Sequence, residues 1–188
     1  HFAGEGHDAA DLRAQRRVRE EDVVGDFAHD LQLARRGAQG ARGLEVSVRL
    51  PLAEAWTLES SAAVLDAAFG RFDERVGTSL VSRRGNVPVN VPERLATTWL
   101  RWQATDAFSL AAGLRAVGRR PANTANTQWL AGYTTLDLNA NWRTGWGDVG
   151  LRVRNVADKA YATTAYNAGN QVMVGEPRWV EVVWQRRF

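Results

Sequence analysis

Apolar and polar residues alternate along most of this chain. In RGLEVSVRL, Leu44, Val46, Val48 and Leu50 fall on one side, and Glu45, Ser47 and Arg49 on the other. WTLESSAAV repeats the pattern through Trp56, Leu58, Ala62 and Val64. RLATTWLRW divides two ways, Ala96, Thr98, Leu100 and Trp102 against Leu95, Thr97, Trp99 and Arg101, so its facing stays open. FSLAAGLRAV sets Phe108, Leu110, Ala112 and Leu114 opposite Ser109, Gly113 and Arg115, and TLDLNANW sets Leu136, Leu138, Ala140 and Trp142 opposite Asp137, Asn139 and Asn141. In VGLRVRN, Leu151 and Val153 oppose Arg152 and Arg154. The terminal RWVEVVWQRRF places Val180, Val182, Trp184 and Phe188 against Glu181, Gln185 and Arg187. A period of two predicts strands with two differently solvated faces, seven of them.

The connections sort by length. Short turns are expected around 51–55, 103–107 and 143–148, and long segments rich in Gly, Asn, Pro and Thr over 66–92, 118–131 and 157–177. In an antiparallel meander this puts every short turn at one end and every long loop at the other, which is the asymmetry of bacterial outer-membrane barrels. Trp56, Trp102, Trp142, Trp146 and Trp184 gather at the short-turn end, as an interfacial girdle requires. The opposite face carries Glu45, Arg49, Arg115, Asp137, Asn139, Asn141, Arg152, Arg154, Glu181 and Arg187, too many charges for a dry core. The expected fold is therefore all-β: an antiparallel up-and-down transmembrane β-barrel segment. A soluble β-sandwich would also alternate and is kept as a rival.

Composition narrows the field further. The chain has 188 residues, no cysteine and a formal charge of +3; of its 24 basic residues only Lys159 is lysine. Disulfides, thiolate metal sites and cysteine nucleophiles are excluded. The arginines are scattered singly through alternating segments, which argues against nucleic acid as a partner. No apolar run approaches the roughly 18 residues of a membrane-spanning helix, a test that leaves barrels open. Residues 1–40 hold all three histidines and no tryptophan, and 41–188 hold all eight tryptophans. We expect 1–40 to be a poorly defined, non-native or disordered stretch, and 41–188 to be barrel strands. His1, Glu5, His7 and Asp8 could be read as a metal site, and their terminal position argues against it. No metal, cofactor or catalytic residue is expected: no histidine follows residue 29, and neither a G-x-S-x-G elbow nor a phosphate-cradling loop is present.

Particular motifs resemble a known family. Residues 151–188 contain Asn155-Val156, then Asp158, Lys159 and Tyr161 as a D-K-x-Y segment, then Gly175, Glu176, Pro177 and Arg178 as G-x-P-R, and a last strand ending on an aromatic. Upstream stand Arg42, Gly43 and Glu45 (R-G-x-E), NVPVNVPERLATTWLRW (86–102, N-x-P-x-H without the histidine), and Gly132, Tyr133 and Asp137 (G-Y-x-x-x-D). In this order and spacing the set resembles the C-terminal part of TonB-dependent outer-membrane receptors, over residues 41–188.

The resemblance implies seven or eight strands of a larger barrel of about 22, with an N-terminal plug in its lumen. It also implies uptake of a ferric siderophore across the Gram-negative outer membrane, driven by TonB–ExbB–ExbD acting through a plug and TonB box absent from these residues. The chain, which starts at His1, is expected to be a fragment or a processed product. Val180, Val182, Trp184 and Phe188 resemble the signal read by the barrel assembly machinery. Ligand would be met in the long loops, where Arg83, Arg84, Arg119 and Arg120 suit an anionic chelate and Trp129, Tyr161 and Tyr166 suit flat groups. Lipid and lipopolysaccharide are the other expected partners. The alternatives are a small passive outer-membrane pore or structural barrel, with 1–40 adding a strand, and the soluble sandwich.

Overall fold

The computed structural model describes residues 38–186. The chain runs through β1 (Ala38–Ala53), β2 (Trp56–Arg71), β3 (Asp73–Val76), β4 (Ser79–Ser82), β5 (Arg94–Thr105), β6 (Phe108–Val117), β7 (Arg120–Pro121), β8 (Trp129–Leu130), β9 (Tyr133–Thr144), β10 (Gly147–Arg154), β11 (Ala162–Tyr166), β12 (Gln171–Val174) and β13 (Trp179–Gln185). Seven of these form one sheet in the order β1-β2-β5-β6-β9-β10-β13, each pair antiparallel. They are the seven strands that the alternation predicts. β1 and β13 are the sheet's edges, so it is not closed among the described residues.

Register settles which residues share a face. Leu44 lies opposite Val64, Val46 opposite Ala62 and Leu50 opposite Leu58. Leu58 lies opposite Leu100 and Trp56 opposite Trp102, which resolves the open facing of residues 94–102. Thr98, Leu100 and Trp102 join the apolar face; Thr97, Trp99 and Arg101 join the polar one. The apolar row continues through Leu114–Leu136, Ala140–Leu151 and Leu151–Val182. Leu44, Val46, Val64, Leu114, Val180 and Val182 are exposed on it. Among the described residues no second sheet covers this face, so the two packed layers of a sandwich are not what forms.

Tryptophans sort by the same rule. Trp56 and Trp102 stack with ring centroids 5.6 Å apart, and Trp146 and Trp184 meet at 6.2 Å, beside the short turns. These turns are only two residues long: Glu54–Ala55, Asp106–Ala107 and Gly145–Trp146. Midway up the apolar face the Ser60 and Thr98 hydroxyls bond each other at 2.9 Å, so neither needs water.

Two features depart from the sequence reading. β1 and β2 run for 16 residues each, and β2 continues to Arg71 although its alternation fades near residue 66. A spanning strand needs about 9–11 residues. Beyond that length the outer face no longer has to be apolar, and the exposed Arg42–Asp66 ion pair, 3.1 Å, stands there on the same face as Leu44 and Val64. The long connections also hold hairpins of their own, β3 with β4, β7 with β8 and β11 with β12.

Candidate functional site

The polar face forms a wall of cross-strand ion pairs. Glu59 sits between Arg49, 3.3 Å away, and Arg101, at 3.2 Å. Arg152 meets Glu181 at 3.1 Å and Arg154 meets Glu176 at 3.6 Å, with the Arg154 guanidinium 5.3 Å from the centre of the Trp179 ring. The first three pairs join different strands, and a period of two together with the register puts them side by side; Glu176 reaches Arg154 from the loop before β13. Trp99 also faces this way, lying against Gly113.

At the long-loop end, residues 72–93, 118–132 and 155–178 are tied into one layer. Asn90 and Asn126 sit at φ 64° and 56°, the left-handed region that asparagine tolerates better than most residues. Each then uses both amide atoms to imitate a strand partner. Asn90 Oδ1 accepts the Ala165 N–H (2.8 Å) while its Nδ2 donates to the Ala165 carbonyl (3.1 Å). Asn126 treats Val87 the same way, at 2.8 and 2.9 Å. Asn86 Nδ2 donates to the Thr124 carbonyl at 2.8 Å. Glu74 accepts from both Arg83 Nε and the Thr124 hydroxyl, each at 2.8 Å. The hydroxyl, ahead of Arg83, holds the Glu74 carboxyl below its ordinary range against the opposing effect of burial. Ala122, Leu130 and Ala165 form a small apolar core between the second and third loops.

The base of the layer is a buried aromatic and cationic stack. Tyr133 and Tyr161 stack at 4.1 Å, and the Arg120 guanidinium lies 5.5 Å from the Tyr133 ring. Arg120 is 2% exposed and donates to the carbonyls of Ala162 and Thr163. Burial lowers its pKa, partly offset by Tyr133, and burial pushes the Tyr161 phenol up, helped by the same neighbour. A Cβ on Gly175 would strike the Tyr161 ring, so only glycine admits that ring there. Asn155, also 2% exposed, donates to the carbonyls of Lys159 and Glu176, while Asp137 accepts its backbone N–H at 2.8 Å. Asp158 accepts the Arg178 N–H at 2.8 Å. The D-K-x-Y and G-x-P-R segments are thus the two ends of the third loop, fastened to each other.

The sequence candidates fall into distinct environments. Arg83 is half-buried against Glu74, and Arg120 is buried beside Tyr133 and Tyr161. Arg84 is exposed, with its backbone N–H donating to the Ser82 hydroxyl at 3.4 Å. Arg119 is exposed and lies 4.9 Å from the centre of the Trp129 ring. Tyr166 is exposed at the end of β11. Val180, Val182 and Trp184 stand on the exposed apolar face of β13, and Phe188 lies outside the described residues. So do His1, Glu5, His7 and Asp8, and nearly all of the stretch 1–40. Sequence reasoning missed Asn86, Asn90 and Asn126; the only available signal was the Asn-rich text of NVPVN and PANTAN.

Comparison with known proteins follows the same lines. A family model described as "TonB dependent receptor-like, beta-barrel" matches residues 14–156. The ferrioxamine receptor of Yersinia enterocolitica is 33% identical over 90 residues, 44% of this chain and 13% of that protein. The probable TonB-dependent siderophore receptor PiuA of Acinetobacter baumannii is 26% identical over 135 residues, 69% of this chain and 18% of that protein. The crystal structure of the A. baumannii siderophore receptor PiuA superposes with a TM-score of 0.69 at 23% identity, covering 78% of this chain and 21% of the other. The chain therefore spans less than a fifth of the length of these curated relatives. The family match covers most of the chain, and the antiparallel all-β sheet agrees with it. The chain belongs to the TonB-dependent receptor-like β-barrel family, and its place is the Gram-negative outer membrane.

Proposed function

We propose that this chain supplies C-terminal strands and three extracellular loops to a receptor that takes up a ferric siderophore across the outer membrane. The observation that carries this is the loop layer: three long connections from alternate strand ends, knitted together above a charged wall. A passive pore or a purely structural barrel has no need of such a built surface. The names of the relatives, a ferrioxamine receptor and a siderophore receptor, support the same reading.

In this proposal the apolar face meets lipid, and the polar wall meets water and a plug domain through which TonB–ExbB–ExbD acts. The exposed Arg42–Asp66 pair reaches the lipopolysaccharide level, and Val180, Val182, Trp184 and Phe188 are read by the barrel assembly machinery. The division of the chain into 1–40 and barrel strands 41–188 belongs to the proposal. So does the absence of enzymatic activity and of nucleic-acid binding; the family itself consists of receptors and transporters.

The test is uptake of radioactive iron by cells carrying the complete gene, supplied as hydroxamate and catecholate chelates. Uptake of at least one chelate should be lost on deleting the gene, and equally lost on deleting tonB or collapsing the proton gradient. Gene-dependent entry of small solutes that ignores TonB would return the passive-pore reading.

A further inference from the structure

Of the four candidate arginines, one is both oriented and uncommitted. Arg83 is neutralised by Glu74, and Arg120 is buried on backbone carbonyls. Among the described residues nothing orients the guanidinium of Arg84. Arg119 is stacked on Trp129, and among the described residues no carboxylate or carbonyl takes its N–H groups. The guanidinium carbon lies over the ring at 4.9 Å, and its N–H groups, without a partner among the described residues, suit two oxygens of one anionic group.

The ring beneath is itself held. Trp129 Nε1 donates to the Asn126 carbonyl at 2.9 Å. Asn126 is the residue whose side chain clamps Val87 of the neighbouring loop, and it also donates from Nδ2 to the Asn123 carbonyl at 3.2 Å. Its left-handed backbone, its amide and its carbonyl therefore serve three purposes at once. An aspartate would lose the donor to Val87, and an alanine would lose both amide contacts.

Resting on the siderophore reading above, we propose that Arg119, stacked on Trp129 and kept there by the positioning residue Asn126, receives an oxygen-bearing anionic group of the ferric chelate. Donor chemistry of this kind also suits a lipopolysaccharide phosphate, so the test must separate the two sources.

The complete receptor, purified in detergent, is titrated with a strongly anionic ferric tris-catecholamide, with cationic ferrioxamine B, and with lipid A. Arg119→Gln should weaken the anionic chelate by about tenfold, the loss expected for a charge-assisted hydrogen-bond pair. It should leave any ferrioxamine binding unchanged. Asn126→Ala should lower the ratio of anionic to cationic affinity in the same direction, because a misplaced ring misplaces the charge above it. Equal weakening of both chelates by Asn126→Ala would mean general loosening and would overturn its positioning role. Unchanged affinities in Arg119→Gln, or a loss confined to lipid A, would overturn the site while leaving siderophore uptake standing. Wild-type receptor that binds ferrioxamine but no anionic chelate would do the same. A receptor that binds neither chelate would defeat the siderophore reading itself.

Discussion

Trp99 lies flat across Gly113 on the opposing strand: a Cβ on the glycine would come within 2.6 Å of the indole ring. The glycine is not needed for an unusual backbone angle. Its missing side chain makes room for a large aromatic on the polar wall, where the neighbouring positions are Glu59, Arg101 and Asp137. Gly113→Ala should therefore destabilise the barrel by about 1–3 kcal/mol, the usual cost of overpacking. The temperature at which the folded receptor loses compact migration in detergent gels would show it. The double change Gly113→Ala with Trp99→Leu should recover part of the loss, whereas an unaltered transition in the single variant would mean the ring is free to move aside.

The hydroxyl pair of Ser60 and Thr98 offers a second measurement, on the opposite face. Each group satisfies the other in a band that otherwise holds Val48, Leu58 and Leu100. Ser60→Ala should cost about 1 kcal/mol by leaving the Thr98 hydroxyl without a partner in an apolar setting. Adding Thr98→Val should restore most of it. A urea-unfolding double-mutant cycle in lipid vesicles reads the coupling directly. Strictly additive effects would show that water reaches both groups.

The Glu74 carboxylate predicts a pH dependence for the loop layer. The Thr124 hydroxyl and Arg83 depress its folded-state pKa below the ordinary 4.5. A depressed carboxylate contributes stability that is fully present above its unfolded pKa and is lost as pH falls through the folded value. Amide exchange around residues 82–87 and 123–127, corrected for intrinsic rates, should accelerate below about pH 4.5. Glu74→Gln should abolish that step. A step of equal size in the variant would assign it to another group.

The strands were legible because two solvents read alternate side chains, and the alternation of Leu44 through Leu50 or of Leu136 through Trp142 needs no other explanation. Facing in residues 94–102 was not, since tryptophan occupies both registers; the pairing of Leu58 with Leu100 and of Trp56 with Trp102 decides it. Nor was the length of β2, for past Asp66 hydrocarbon no longer imposes a pattern. Among the candidate residues, the sequence marked four arginines as suited to an anion. Whether a given guanidinium is neutralised, buried or free depends on partners far along the chain: Arg120 on residues 162 and 163, and the ring under Arg119, held locally by Asn126, on the distant Val87 that Asn126 grips. Such ties use side-chain amides at ordinary turn compositions, and nothing local in the sequence distinguishes them from solvated polar loops.

The two asparagine clamps bear on how such a receptor changes over evolutionary time. With Asn126 gripping Val87 and Asn90 gripping Ala165, an insertion in any one of the three connections would pull its neighbours out of register. Lengthening loops is then a poor route to a new ligand on this side of the rim. If the loops bind ligand as proposed, exchange of single side chains that stand clear of the clamps, Arg119 or Tyr166 for instance, would alter what is recognised while the scaffold beneath is inherited whole.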